Sequence, residues 1–257
     1  MPLLAVDIGN SHTVLGLVQD GEVAADWRVS TDTRRSADEW AVLLRGLLGE
    51  AFAEVDGIVV CATVPAALQE WREMLPRHWG HLPSLVVEPG VRTGIPVLTD
   101  NPREVGVDRI VNALAALTEF GGPAIVVDFG GTATTFDVVN DKGQYVGGAI
   151  SPGIEVALEA LGRRGAQLRE VELTRPRRVI AKNTAEAVQS GMLFGVAAQV
   201  DGIVARMVAE LGVPVEGVRV ISTGYLARLV EDECVCFTDR VPFLTLLGLE
   251  LVFERNA

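Results

Sequence analysis

With 257 residues and 49% hydrophobic side chains, the chain has material for one large or two modest domains, each with its own core. Its formal net charge of −12 and the absence of any basic run argue against nucleic acid as a main partner, since that binding sets Lys and Arg against phosphates. Asp7 interrupts the first apolar run, no apolar stretch approaches the roughly 20 residues that span a bilayer, and Cys61, Cys234 and Cys236 have no metal-ligand spacing; a soluble, cytoplasmic protein with reduced thiols and no membrane partner is expected.

The chain opens with Leu4-Ala5-Val6-Asp7-Ile8-Gly9-Asn10-Ser11-His12-Thr13-Val14, an apolar run ending in Asp-X-Gly, and alternation then resumes toward Val18. A turn at Asp20-Gly21 leads into Glu22 to Ser30, which completes a three-stranded meander. Ser36 and Glu39 have capping-box spacing, and Trp40, Leu43, Leu44, Leu47 and Leu48 then fall on one helical stripe. Gly57 to Thr63 is a continuous apolar strand suited to a buried parallel position, Pro65 opens a helix through about Trp79, and Leu85 to Glu88 is a further strand. The order βββαβαβ makes a mixed α/β domain.

Arg92 to Asn101 reads as a loop marked by Gly94, Pro96 and the following Pro102. From Val107, the residues Ile110, Val111, Leu114 and Leu117 mark the buried face of a helix, so Asp108, Arg109 and Asn112 are expected to project elsewhere. An Asp at a helix start has an ordinary explanation in the macrodipole. Gly106, however, leaves room beside the Asp108–Arg109 pair, where a carboxylate can accept a hydroxyl proton and a guanidinium can hold an anion.

Gly121-Gly122-Pro123 is the natural boundary, giving expected domains of residues 1–120 and 121–257. The second half begins with Ile125-Val126-Val127-Asp128-Phe129-Gly130-Gly131-Thr132-Ala133-Thr134-Thr135, the same pattern displaced by 121 positions. Gly147 to Gly153 passes close to a neighbour and starts a helix near Pro152, and Arg163 to Arg178 is a charged, irregular connection. Asn183-Thr184-Ala185-Glu186 caps a long helix to about Leu211, whose Gly191, Gly195 and Gly202 imply close packing against another helix. Thr184 serves equally well as part of a cap or as a ligand donor. Arg219 to Thr223 is a strand, Gly224 a turn, and Phe243 to Phe253 a closing helix.

The repeated turn carries the functional reading. Gly9 and Gly130 let an anion approach backbone N–H groups, Ser11 and Thr132 add hydroxyl donors, and Asp7 and Asp128 can hold cations that neutralise a polyphosphate. One such bend alone would be turn punctuation; two, each with a hydroxyl two residues after the Gly, point to a nucleotide held between two similar halves.

These residues resemble the type III pantothenate kinases of the actin and sugar-kinase superfamily. The resemblance rests on Asp7-Ile8-Gly9-Asn10-Ser11, on Asn101-Pro102-Arg103-Glu104-Val105-Gly106-Val107-Asp108-Arg109, on Asp128-Phe129-Gly130 with Thr132 to Asp137, and on Gly147 to Gly153, Asn183-Thr184, Gln189-Ser190-Gly191 and Leu244 to Leu249. It implies duplicated actin-like (ribonuclease H-like) domains, each a mixed sheet flanked by helices. It also implies ATP-dependent phosphorylation of pantothenate in a homodimer that uses Mg2+ and a monovalent cation, K+ or NH4+. Carried over, Asp7, Ile8, Gly9, Asn10, Ser11, His12, Thr13, Val14 and Thr132 would contact ATP, with Asp7 near Mg2+. Asp108 would be the base on the pantothenate hydroxyl, Gly106, Val107, Asp108, Arg109 and Thr184 would line the substrate site, and Asp128 would bind the monovalent cation. The sequence departs from the family where Gly131 precedes Thr132, where Thr99 and Asp100 stand in place of a Tyr, and where Tyr225 follows Gly224. A non-catalytic nucleotide-binding or regulatory protein, or a kinase for another small hydroxylated acid, are the alternatives; a Walker-type kinase is disfavoured by the lack of a Gly-Lys-Ser or Gly-Lys-Thr loop.

Overall fold

The computed structural model describes residues 2–88, 90–164 and 171–257. The chain starts with the meander β1 (Leu3–Ile8), β2 (His12–Gln19) and β3 (Glu22–Ser30), followed by α1 (Ala37–Leu48). Ser36 and Glu39 close the expected capping box, and Trp40, Ala41, Leu44 and Leu48 are buried. Next come β4 (Gly57–Ala62), α2 (Pro65–Trp79, with Pro65 in its first turn) and β5 (Ser84–Val86). β4 lies parallel to β1 and β5 parallel to β4, so the order is β3-β2-β1-β4-β5. Leu4, Val6 and Ile8 share one face with Trp40, Leu44, Trp71 and Trp79, and the Trp40 and Trp71 rings lie 5.3 Å apart.

Helix α3 (Val107–Phe120) leads to β6 (Ala124–Phe129), β7 (Ala133–Val139) and β8 (Tyr145–Pro152), a second meander. α4 (Ile154–Arg164), α5 (Thr184–Leu211), β9 (Arg219–Thr223), α6 (Ala227–Val230) and the short β10 (Asp239–Arg240) follow. β9 is parallel to β6 and β10 to β9, giving the order β10-β9-β6-β7-β8. Read from the meander outward, this is the topology of the first sheet. Ile125, Val127, Phe129, Phe136 and Val138 form its core with Leu193, Val200 and Val204 of α5. The last element, α7 (Leu244–Asn256), is buried along nearly its whole length, including Leu244, Leu246, Leu249, Val252 and Phe253.

By their contacts the residues group into two compact units: one runs to Ile95 and includes Asp100–Ala115 and Phe243–Ala257, and the other comprises Pro96–Thr99 and Ala116–Pro242. This grouping differs from a single cut after residue 120, because the final helix covers the opposite face of the first sheet. A Cβ on Gly57 of β4 would lie 2.8 Å from Phe253 Cζ, and one on Gly248 of α7 would lie 2.4 Å from the Val111 carbonyl oxygen of α3. Two helix backbones can approach that closely only where one contributes glycine.

Three expectations are corrected. Asn112 does not project outward: it is 1% exposed and accepts a hydrogen bond from Thr245 Oγ1 of α7 at 2.8 Å, which satisfies the buried amide. Gly191 and Gly195 are not packed against a helix, since a Cβ at either position would meet nothing within 4 Å. Finally, α5 at 28 residues is long and apolar enough to cross a membrane by length and composition; Met192, Leu193, Val200, Val204 and Val208 instead supply one wall of the second core. The charged connection expected from Arg163 to Arg178 begins as the end of α4 and includes residues 165–170, which lie outside the described residues.

Candidate active site

In the first unit, β1 ends at Ile8 and β2 resumes at His12, with Asp7 opposite Val14 and Ile8 opposite Thr13. The Gly9 N–H donates to the His12 carbonyl at 3.0 Å, and a Cβ on Gly9 would stand 3.1 Å from that oxygen. The Ile8 carbonyl accepts from the Thr63 N–H at 3.0 Å, and the Thr31 N–H donates to the Ser11 carbonyl at 3.0 Å. Two neighbouring segments therefore pin the bend, as preorganised anion binding requires. Among the residues expected at ATP, Ile8 and Thr13 have fully buried side chains: Ile8 lies in the core, and the Thr13 hydroxyl pairs with Thr31 Oγ1 at 2.9 Å. Asn10 is exposed, while Asp7, Gly9, Ser11, His12 and Val14 are partly exposed around it.

The second bend repeats the first residue for residue. Asp128 stands opposite Thr135 and Phe129 opposite Thr134, and a Cβ on Gly130 would lie 3.1 Å from the Ala133 carbonyl oxygen. Gly131 thus occupies the place of Asn10, and Thr132 that of Ser11, within the same five-residue span; the extra glycine completes the repeat. Tighter support surrounds this copy. A Cβ on Gly153 would lie 2.4 Å from the Gly131 carbonyl oxygen, and the Gly153 N–H donates to the Thr132 carbonyl at 2.9 Å. Gly224, at φ +92°, comes so near Asp128 that a Cβ would stand 2.4 Å from Oδ1. Thr223, opposite Asp128 on β9, is 1% exposed. Behind them Asp137 is fully buried, accepting from Tyr145 Oη at 2.9 Å and Thr135 Oγ1 at 3.1 Å. Thr184 is the exposed first residue of α5, whose cap is the Asn183 side chain accepting from the Glu186 N–H at 2.9 Å.

The first unit also carries Gly106, Val107, Asp108 and Arg109 at the start of α3. The Asp108 carboxylate folds back over Gly106, where a Cβ would lie 2.5 Å from Oδ1. Asp108 Oδ1 is buried and has no hydrogen-bond partner among the described residues. Burial pushes the Asp108 pKa above the ordinary carboxylate value, opposed by hydrogen bonding from the Arg109 backbone, by the Arg109 charge and by its own N–H. A half-buried acid with one oxygen unclaimed can accept a proton from a ligand hydroxyl. The Asn112–Thr245 bond one turn later, and the Gly248 crossing, hold α3 against α7 and so fix where Asp108 points.

Sequence reading missed Cys61 at this site. Asp7 and Cys61 face one another across the parallel β1–β4 ladder, and the thiol donates to Asp7 Oδ1 at 3.3 Å. Burial, then the charges of Asp7 and Asp108, push the Cys61 pKa well above its usual value, so it stays a thiol. Only strand pairing brings residues 54 positions apart together. Among the described residues no group of three or more His, Cys, Asp or Glu side chains is arranged to hold a metal ion.

A family model described as type III pantothenate kinase matches residues 3–206. A type III pantothenate kinase of a Nocardioides species is 74% identical over 257 residues, covering all of both chains. One from Streptomyces griseus is 57% identical, covering 99% of this chain and 98% of its own. Among solved structures, a conserved Baf family transcriptional activator from Campylobacter jejuni aligns with a TM-score of 0.60 at 17% identity, covering 98% of each chain. A 2-dehydro-3-deoxygalactonokinase protein from Sinorhizobium meliloti aligns at 0.56 and 16%, covering 99% of each. The activator of the 2-hydroxyisocaproyl-CoA dehydratase from Clostridium difficile, with bound ADPNP, aligns at 0.53 and 14%, covering 100% of this chain and 96% of its own. These distant likenesses carry the fold alone: duplicated actin-like (ribonuclease H-like) domains, each a mixed sheet with flanking helices.

Proposed function

Since this chain belongs to the type III pantothenate kinases, we propose that it transfers the γ-phosphoryl group of ATP to the primary hydroxyl of pantothenate, giving 4'-phosphopantothenate in the first step of coenzyme A biosynthesis. The observation that carries the mechanism is the buried, unpartnered Oδ1 of Asp108 beside Gly106. Asp108 accepts the hydroxyl proton as the acceptor oxygen attacks the γ-phosphorus, and the bond to the β,γ-bridging oxygen breaks. Arg109 holds the pantothenate carboxylate, and Gly106, Val107 and Thr184 complete the substrate site. The elevated pKa suits the base, because proton transfer is most effective when the acceptor's pKa approaches the working pH.

Phosphoryl transfer has a loose transition state, so the remaining task is positioning and charge neutralisation. The two proposed domains, residues 1–120 and 121–257, each carry one bend. Asp7, Ile8, Gly9, Asn10, Ser11, His12, Thr13 and Val14 contribute backbone and side-chain contacts from the first, and Thr132 a hydroxyl from the second. The buried Ile8 and Thr13 act through their main chain. A single carboxylate at a strand end, with phosphate and water oxygens completing the shell, is a donor set that Mg2+ accepts, and Asp7 meets that description. Asp128, with the Gly224 backbone against its carboxylate and Thr223 beside it, suits a monovalent cation such as K+ or NH4+. Bound cations supply neutralisation of the polyphosphate, which an acidic chain needs.

We also infer a homodimer and a cytoplasmic location. Support for the dimer is the face of α5 carrying Gly191, Gly195 and Ala198, together with Val179 and Ile180 ahead of it, all exposed and apolar. Light scattering on the purified protein tests it, and a monomer would refute it. The activity is tested by coupled ATP turnover with pantothenate and K+, with and without Asp108→Asn. Wild-type turnover that falls about 10²- to 10⁴-fold in the variant is expected; absent wild-type turnover, or an undiminished variant, refutes the reading.

A further inference from the structure

Strand β4 reads Ile58-Val59-Val60-Cys61-Ala62, and its side chains up to Cys61 are all at most 1% exposed. An aliphatic residue would bury as well at position 61, so what the thiol adds is a donor. That donor reaches Asp7 Oδ1 at 3.3 Å across a parallel ladder that sets Asp7 directly opposite Cys61. Both side chains leave the sheet on the face where α7 packs through Phe253 against Gly57. Asp108, at the start of α3, lies within electrostatic reach of the same sulfur. One uncharged, hydrogen-donating atom thus sits in the neighbourhood of the two carboxylates assigned to the nucleotide and to the acceptor alcohol.

We propose that Cys61 is a positioning residue for phosphoryl transfer: its thiol fixes the rotation of the Asp7 carboxylate toward the nucleotide and its cation. This deepens the kinase reading and rests on the role given there to Asp7. The thiol touches no substrate. Its effect travels through one side chain, so it falls on nucleotide binding more than on pantothenate binding.

The test compares Cys61→Ser, which keeps a donor, with Cys61→Val and Cys61→Ala, which keep an apolar strand and lose it. Mg2+–ADP affinity by calorimetry and KM for ATP are measured for all four proteins, with thermal melts to establish that each is folded. Loss of one hydrogen bond to a charged group predicts an affinity about fivefold weaker or more, and a matching rise in KM, in the Val and Ala variants. The Ser variant is expected to stay within about twofold of wild type, and KM for pantothenate to be unchanged throughout. Wild-type Mg2+–ADP affinity in a folded Val or Ala variant overturns the proposal, as does a Ser variant impaired as much as Ala. Failure of the wild type to phosphorylate pantothenate would overturn the kinase reading instead, while the calorimetric comparison still decides the role of Cys61.

Discussion

At the first bend Asp7 is held by a thiol on the adjacent strand; at the second Asp128 is hemmed in by the backbone of Gly224, while Gly153 presses on the loop after it. The two bends share backbone register and the same 3.1 Å clearance at their central glycines. What differs is the second line of support. A duplicated turn conserves its main-chain geometry because hydrogen-bond register is discrete, whereas side-chain surroundings are free to diverge. Backbone hydrogen bonds hold both bends; to these the first adds a side-chain contact at its Asp, and the second adds close backbone approaches.

The largest effects should come from the glycines that lack a counterpart at the first bend. Gly224→Ala combines positive φ with a contact against the Asp128 carboxylate and the Phe129 backbone, and Gly153→Ala meets backbone at 2.4 Å. Each is expected to cost about 3 kcal/mol or more by denaturant titration. Gly9→Ala and Gly130→Ala, with clearances of 3.1 Å, should each cost about 1 kcal/mol; equal losses at all four positions would erase the distinction. Next, Ser11→Ala and Thr132→Val should each weaken ATP binding about fivefold if both bends grip phosphate, measured as KM for ATP. A loss confined to one would assign the phosphate to that bend.

Smaller is the contrast between the buried threonines. Thr13→Val gives up the bond to Thr31 and should destabilise by about 1 kcal/mol, while the Thr134 hydroxyl, buried with no partner among the described residues, can be replaced by Val at almost no cost. Denaturation midpoints of the two variants check this. Asp108 gives a last comparison, with Asp7 and Asp128 of the bends. Because its folded pKa is raised, the folded state holds its proton more tightly than the unfolded state, and stability falls as pH climbs from the ordinary carboxylate value through the raised one. Asp108→Asn should therefore melt higher than wild type at neutral pH and converge with it in acid, even as turnover is lost.

Much of this protein is written in local sequence. The meanders, the Ser36–Glu39 box, Pro65 at a helix start, the Asn183 cap and the two Asp-X-Gly bends all follow from neighbours within a few residues, where turn chemistry and periodicity act directly. Tertiary structure decided what depends on distant pairing. Asn112 turned inward because Thr245, 133 positions away, offers its amide a partner. The final helix joined the first sheet because Gly57 and Gly248 leave room for it, and Cys61 reached Asp7 only through parallel strand register. Burial and desolvation arise from such long-range contacts, so the elevated pKa of Asp108 and the thiol beside Asp7 are properties of the fold rather than of any segment of the chain.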